Sequence, residues 1–105
     1  SFAIGYARRG IHCVPRVVAT LNTVRPLFES EWPTSAALWL RNGGPQPGGL
    51  YANPTLADTW ERLLREAEAA GHDRVAQIEA ARTAWYSGFV AEAVDRFCRD
   101  QEILD

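Results

Sequence analysis

Length, composition and charge confine this chain to an ordinary globular segment. It has 105 residues, 47% of them are hydrophobic, and its formal net charge is −2. A chain of this length makes one domain or part of one. Its charge leaves no basic surface for the phosphates of nucleic acids, and no apolar run approaches the roughly 20 residues of a membrane-spanning helix. We therefore expect neither nucleic acid nor membrane as a partner.

Two residue types are missing from the chain. It contains no Met and no Lys, and all 11 of its basic residues are Arg. We interpret the missing Met as the mark of a processed product or an excised segment, so that residues 1–105 form a single helical segment of a larger protein. The Arg-only usage indicates a GC-rich bacterial genome. An alternative interpretation is that Arg was selected for anion binding, but the Arg residues are scattered along the chain.

The first two predicted helices are separated by a glycine. Phe2 to Arg9 has the pattern of the last turns of a helix, and Gly10 is its stop signal. No cap precedes this helix, so we expect its start to lie upstream. The second helix begins near Val14-Pro15, and Pro26 is expected to kink or end it. Its apolar residues at helical spacing are Val14, Val17, Val18, Leu21, Val24 and Phe28.

A short helix and a long loop come next. The helix is predicted from Trp32-Pro33 to Leu40, and Asn42-Gly43-Gly44 ends it. Residues 42–53 contain four Gly and two Pro, which is typical of a surface loop. The spacing does not fit a phosphate-binding loop, because no Gly-Lys-Ser/Thr follows and no strand precedes it.

Three more helices are predicted in the second half of the chain. Asn53-Pro54 starts the first, Asp73 caps the second, and the third runs from Phe89 to about Gln101. Gly71 ends the first of these, and Ser87-Gly88 breaks the pattern before the last. The predicted class is all-α, with about six helices and no strand of useful length. The residues predicted to face inward are Leu56, Trp60, Leu63, Leu64 and Ala67, then Val75, Ile78, Arg82 and Trp85, then Val90, Val94, Phe97 and Cys98.

The histidines and cysteines do not have the spacing of a metal site. His12-Cys13 and His72-Asp73 are adjacent pairs, whereas zinc sites use spacings such as Cys-x-x-Cys or His-x-x-x-His. We expect no metal and no cofactor. Cys13 and Cys98 are interpreted as two small buried hydrophobic residues, and a disulfide between them remains the alternative.

No hydroxyl or carboxylate stands out as catalytic. Acidic residues of the fourth helix alternate with Arg62 and Arg65, as on a solvated helix face. Ser1 could act as an N-terminal nucleophile, but it precedes a truncated helix. We assign no catalytic, cofactor-binding or metal-binding residue in this chain. The acidic residues considered for acid–base work are Asp58, Glu61, Glu66 and Glu68.

The aromatic content is high, with four Trp, three Tyr and four Phe. Most of these residues fall on the apolar stripes, which favours packing in a core or in a subunit interface, with self-association through an aromatic-rich apolar surface as a further expectation. A stacking platform or partner groove is the alternative. The residues concerned are Trp32, Trp39, Trp60, Trp85, Tyr6, Tyr51 and Tyr86.

An ordered set of short phrases resembles the middle of the large subunit of the γ-glutamyltranspeptidase family, also called glutathione hydrolases. The resemblance covers nearly the whole chain, although Trp85 stands where Phe is usual and the stretch from Ala67 to Ala81 is longer than expected. The phrases are Ala3-Ile4, Ala7-Arg8-Arg9-Gly10, Val14-Pro15-Arg16, Gly49-Leu50, Asn53-Pro54-Thr55-Leu56-Ala57-Asp58-Thr59, Trp85-Tyr86-Ser87-Gly88 and Ala91-Glu92.

The resemblance implies a larger enzyme with the αββα fold of N-terminal-nucleophile hydrolases. Such an enzyme cleaves itself into two subunits, and the new terminal Thr attacks the γ-glutamyl amide. The nucleophile is expected beyond the C-terminal end of this segment, and the Arg that binds the substrate carboxylate before its start. Thr55 and Thr59 follow no recognisable processing site. This chain is then a helical layer packed on the remainder of the enzyme, inactive by itself.

Two other functions remain open. The chain could be a self-contained helical interaction module, or a segment of a related N-terminal-nucleophile acylase that cuts non-glutamyl amides. The compartment is not fixed by the sequence, and either the bacterial cytoplasm or, with an upstream signal, the periplasm or exterior is compatible with it.

Overall fold

The chain folds almost entirely into helices. The structure is a computed structural model that describes residues 1–101, without the side chain of residue 42. Within this range it contains six α-helices, which confirms the all-α prediction, and none of them is long and apolar enough to cross a membrane. The helices are α1 Phe2–Arg9, α2 Pro15–Ser30, α3 Pro33–Trp39, α4 Pro54–Glu68, α5 Arg74–Tyr86 and α6 Phe89–Asp100.

The chain divides into two compact units, Ser1–Ala57 and Asp58–Asp105. In the first unit, α2 packs against α3, and in the second unit α5 packs against α6. Helix α4 starts in the first unit and continues into the second. The buried apolar residues are few and mostly small, namely Cys13, Val18, Leu21, Ala57, Ala67 and Ala84.

The predicted helix starts are confirmed. Val14 precedes α2 in an extended conformation, with φ −72° and ψ 149°, and Pro15 takes the first helical position. Asp73 caps α5, because its Oδ2 accepts a hydrogen bond from the backbone N–H of Ala76 at 3.2 Å. Such a cap satisfies one of the N–H groups that the first turn of a helix leaves unpaired.

The two predicted glycine stops are confirmed as well. Gly10 has φ 108°, and its N–H donates to the carbonyl of Tyr6 at 2.8 Å. Gly71, with φ 115°, follows the two-residue turn after α4. Positive φ is accessible to glycine without the steric cost that a Cβ would bring, so each glycine lets the chain leave its helix.

Of the two outcomes expected at Pro26, a kink or the end of the second helix, the structure excludes the end. Helix α2 continues through Pro26 to Ser30, about one further turn. Pro26 removes only one backbone hydrogen bond. In the following turn, Ser30 Oγ donates to the carbonyl of Pro26 at 2.8 Å, and Arg25 lies 3.7 Å from the carboxylate of Glu29.

A small antiparallel ribbon was not predicted. Strand β1, Ile11–His12, pairs with β2, Leu50–Tyr51, with Ile11 opposite Tyr51 and His12 opposite Leu50. A 3₁₀ turn over Arg41–Gly43 follows α3, so residues 42–53 are only partly irregular. Strands of two residues are too short for hydrophobic alternation to reveal them.

The predicted inward faces of α4, α5 and α6 are wrong in part. Leu64 on α4 is exposed, as are all four predicted residues of α5, Val75, Ile78, Arg82 and Trp85. On α6, Val94 and Phe97 are exposed, while Cys98 is half-buried. Helix α6 has a distinct apolar face, whereas the apolar residues of α5 are spread around the helix. However, the α5–α6 pair buries only Ala84 between its helices, and the large apolar side chains remain at the surface.

Candidate functional site

The phrase around Asn53 forms a joint between α1 and α4. Asn53 Oδ1 accepts a hydrogen bond from the backbone N–H of Leu56 at 3.1 Å, which caps α4. The backbone N–H of Asn53 donates to the carbonyl of Ala7 near the end of α1, at 2.7 Å. Ala57, one turn into α4, is completely buried. Asn53 therefore fixes the start of α4 and connects it to α1.

The phrase around Gly88 forms the joint between α5 and α6. A Cβ placed on Gly88 would lie 2.7 Å from the Cα and 2.9 Å from the carbonyl oxygen of Ala84. The contacted atoms are backbone and cannot rotate away. Ala84 itself is buried, with 4% exposure. Glycine at position 88 thus permits the close approach that the turn into α6 requires.

Hydrogen bonds of His12 and Cys13 connect the glycine-rich loop at Gly48 and Gly49 to strand β1. His12 Nδ1 donates to the carbonyl of Gly48 at 2.8 Å, and because a carbonyl only accepts, the proton is on Nδ1. The backbone N–H of Cys13 donates to Gly49 at 2.9 Å, and its carbonyl accepts from Gly48 at 2.8 Å. The Cys13 side chain is buried, so its thiol packs in the first unit, and both cysteines are free thiols.

Tyr51 lies beside a pocket in the first unit. Its ring stacks on Trp39, with centroids 4.7 Å apart and an interplanar angle of 6°. The pocket has a volume of about 450 Å³, and Arg41 also lines it while donating from a guanidinium nitrogen to the carbonyl of Ala52 at 2.7 Å. The pocket is therefore lined both by aromatic rings and by a guanidinium group that a hydrogen bond holds in place.

The hydroxyl of Tyr51 is buried and, within the part of the chain that the structure describes, has no hydrogen-bond partner. Burial raises the pKa of this phenol above its ordinary value of 10.0, Arg41 opposes the rise, and Cys13 adds to it. An unpaired buried hydroxyl costs free energy of folding, about 1–3 kcal/mol. Tyr51 was predicted only as a packing aromatic, and sequence alone carries no signal that its hydroxyl is unpaired.

The carboxylates considered for acid–base work lie along α4. Glu66 pairs with the Nε of Arg62 at 3.3 Å, one turn apart on the helix, and both side chains are exposed. The guanidinium of Arg62 also lies 4.1 Å above the ring of Phe89. This agrees with the predicted ion-paired face and includes a cation–π contact that the sequence did not indicate.

The remaining candidates are distributed along the chain. Ser1 occupies the N-cap position of α1 without a side-chain cap, Thr55 and Thr59 lie on α4, and His72 lies in the turn between α4 and α5. Among residues 1–101, no group of three or more His, Cys, Asp or Glu side chains could hold a metal ion. The assignment of no catalytic or metal-binding residue stays a prediction.

Among residues 1–101, each unit has an apolar groove at its surface. The α2–α3 groove has a volume of about 690 Å³ and is lined by Val14, Arg16, Val17, Thr20, Leu21, Val24, Phe28, Trp32 and Trp39. The α5–α6 groove has a volume of about 420 Å³ and is lined by Trp85, Tyr86, Val90, Ala91, Val94, Asp95 and Cys98. Contiguous exposed apolar surface of this kind marks sites of protein contact.

Comparison with known proteins identifies solved structures with the same local fold. The chain is 56% identical to a segment of the protein in the structure described as "Structure of LmbA2991T421A", with a TM-score of 0.85 over 91% of this chain. A second structure, "Structure of LmbA2991HD", gives the same identity and TM-score. The matched segments are only 16% and 17% of those chains, so this chain spans about a sixth of their length. No known family model matches the chain, and no curated protein matches it.

Proposed function

We propose that the chain is a helical portion of a γ-glutamyltranspeptidase-like enzyme and has no catalytic activity by itself. The whole enzyme would transfer or hydrolyse the γ-glutamyl groups of glutathione and related amides. Its nucleophile would be an N-terminal Thr supplied by polypeptide outside these 105 residues.

The observation that carries this proposal is the order of the family-like phrases from Ala3 to Glu92. Two of them fall at joints that depend on particular residue types, since Asn53 caps α4 and Gly88 permits the approach to Ala84. Residues at such a joint position two helices against each other. This supports a structural role for the segment in its enzyme.

A second line of support comes from the exposed apolar surface. Large apolar side chains are exposed in both units, among them Phe2 at 87%, Tyr86 at 75% and Val75 at 66%. The similar solved structures have chains about six times as long as the matched segment. A segment that packs on the rest of a longer protein would present such faces.

The proposed reaction requires several catalytic groups from polypeptide outside these 105 residues. Attack on an amide by a terminal Thr needs its hydroxyl, its own amine as base and an oxyanion hole. We assign none of these groups to this chain. Thr55 and Thr59 lie within α4, and the third candidate hydroxyl, that of Ser1, occupies the N-cap position of α1. The role of this segment is to pack against the catalytic core and hold its outer layer.

A chromogenic γ-glutamyl amide tests the proposal. The full-length polypeptide should release the chromophore, whereas the 105-residue chain should give only the background rate. Turnover by the 105-residue chain would disprove its inactivity. If the full-length protein cleaves only non-glutamyl amides, the related acylase replaces the transpeptidase.

The exposed grooves also favour a second candidate, a self-contained helical interaction module. This function requires an open reading frame that starts just before Ser1 and stops just after Asp105. A much longer reading frame would exclude it.

A further inference from the structure

The pocket beside Tyr51 contains a cation without a matching anion. Among the described residues that line it, Arg41 alone carries a formal charge. Its Nη2 donates to the carbonyl of Ala52 at 2.7 Å, and within residues 1–101 no carboxylate pairs with it. A guanidinium carries five N–H donors, so several remain available to a ligand. The pocket therefore offers a positive charge at a fixed position.

Most of the remaining lining of this pocket is apolar. Trp39 and Tyr51 contribute two aromatic rings that stack on each other at a centroid distance of 4.7 Å. Leu38 and Leu50 add aliphatic surface. Aromatic rings favour contact with other planar groups, through a face or an edge. The volume of about 450 Å³ is that of a small-molecule site, since such sites measure about 300–1,000 Å³.

Hydrogen bonds hold the walls of the pocket in place. On one side, Arg25 Nη2 donates to the carbonyl of Gly43 in the 3₁₀ turn at 2.6 Å. On the other side, the backbone N–H of Gly49 donates to the carbonyl of Gln46 at 2.8 Å, and its own carbonyl accepts from Cys13 at 2.9 Å. A pocket that is formed before binding loses little conformational entropy when a ligand enters.

We propose that this pocket binds a small aromatic carboxylate. The guanidinium of Arg41 binds the carboxylate, because its planar fork of donors matches the two carboxylate oxygens. The planar body of the ligand packs against the rings of Trp39 and Tyr51. One cation beside a largely apolar lining selects a single negative charge on an apolar body. This site does not depend on the proposed γ-glutamyl chemistry.

Isothermal titration calorimetry of the full-length polypeptide with 2-naphthoate tests the proposal. Two comparison ligands separate the contributions of charge and ring. The first, 2-naphthylmethanol, keeps the rings and lacks the charge, and cyclohexanecarboxylate keeps the charge and lacks the rings. We expect 2-naphthoate to have a Kd about tenfold lower than either. No binding of 2-naphthoate at millimolar concentration, or equal affinity for either comparison ligand, would overturn the proposal.

Three variants of the full-length polypeptide locate the bound carboxylate. Arg41→Gln removes the charge and should raise the Kd of 2-naphthoate about tenfold. Gln46→Glu adds a negative charge at an exposed lining residue without changing its size, and should raise the Kd several-fold even if the first variant fails to fold. Arg16→Gln is the matched control, since this exposed Arg of the same unit lines the α2–α3 groove instead.

The control variant should bind 2-naphthoate as the parent protein does. An unchanged Kd in Gln46→Glu or in folded Arg41→Gln would show that the carboxylate does not bind at this pocket. A rise in Kd in Arg16→Gln as large as in the pocket variants would place the ligand elsewhere or indicate a general charge effect. Either result would overturn the proposal.

Discussion

The backbone N–H of Asn53 donates to the carbonyl of Ala7 at 2.7 Å, across 46 residues of chain. The same residue caps α4 through its side chain. One residue thus joins the end of the first helix to the start of the fourth. The joint lies in the phrase from Asn53 to Thr59, where it fixes the backbone at the start of α4.

Replacing Asn53 should separate its two roles. Asn53→Ala keeps the backbone bond to Ala7 and removes the cap on Leu56, so the free energy of unfolding should fall by about 1 kcal/mol. Urea denaturation followed by circular dichroism measures this change. Asn53→Ser is the control, since Ser also caps helices and should lose much less. Equal losses in the two variants would contradict a capping role.

Substitutions at two glycines test whether the turn before α6 requires the close approach of Gly88 to the backbone of Ala84. A Cβ on Gly88 meets the backbone of Ala84 at 2.7 Å, so Gly88→Ala should destabilise the chain by about 1–3 kcal/mol. A Cβ on Gly5 also meets an atom at 2.7 Å, but that atom belongs to the flexible side chain of Arg9.

Gly5→Ala should therefore stabilise the chain, in contrast to Gly88→Ala. Gly5 lies inside α1, where Ala is favoured over Gly by about 0.5–1 kcal/mol, and Arg9 can rotate away. Thermal unfolding of both variants against the parent chain compares the two sites. A melting temperature that Gly88→Ala leaves unchanged would show that the turn before α6 does not depend on glycine.

Tyr51 should make stability fall at high pH. Its pKa in the folded chain is raised above the ordinary value of 10.0, so above that pH the unfolded chain releases the phenol proton more readily than the folded one. Stability is thus fully present below pH 10.0 and declines as pH rises through the folded-state pKa. In Tyr51→Phe this part of the decline should be absent.

At neutral pH, Tyr51→Phe should raise the free energy of unfolding by about 1 kcal/mol, because it removes an unpaired buried hydroxyl. Urea denaturation at pH 7 and at several values above 10 measures both effects. Tyr86→Phe, at a 75% exposed position, is the control and should change stability little at neutral pH. A pH profile of Tyr51→Phe identical to that of the parent chain would contradict the assignment.

The exposed face of α6 should cause the isolated chain to self-associate. Val94 is 58% exposed and Phe97 44% exposed, so their apolar surface remains in water. Val94→Glu should lower the weight-average mass in sedimentation velocity at high concentration, with an unchanged helical spectrum. Arg96→Glu, about 200° away around the helix, is the charge-changing control. Equal loss of association in both variants would indicate a general charge effect.

The helices were predictable because their signals are local. Asn53 and Asp73 as caps, Pro15 as a first-turn residue and Gly10 and Gly71 as stops act within a few residues of themselves. The continuation of α2 through Pro26 was not predictable from this pattern, because it also depends on tertiary contacts such as those between α2 and α3.

The candidate site was less predictable, because it depends on pairs distant in sequence. The Trp39–Tyr51 stack and the ribbon between Ile11–His12 and Leu50–Tyr51 need tertiary approach. The pattern of apolar residues on α6 located an apolar face but could not show whether another helix of this chain covers it. Val94 and Phe97 were therefore placed inside when they lie at the surface.

Intact-mass analysis of the full-length polypeptide, incubated with a γ-glutamyl amide, tests the central claim most directly. We predict two subunits formed by self-cleavage, with residues 1–105 in the larger one and a γ-glutamyl group on the N-terminal Thr of the smaller one. A single uncleaved chain, or two subunits that never carry a γ-glutamyl group, would contradict the claim that this segment belongs to a γ-glutamyltranspeptidase-like enzyme.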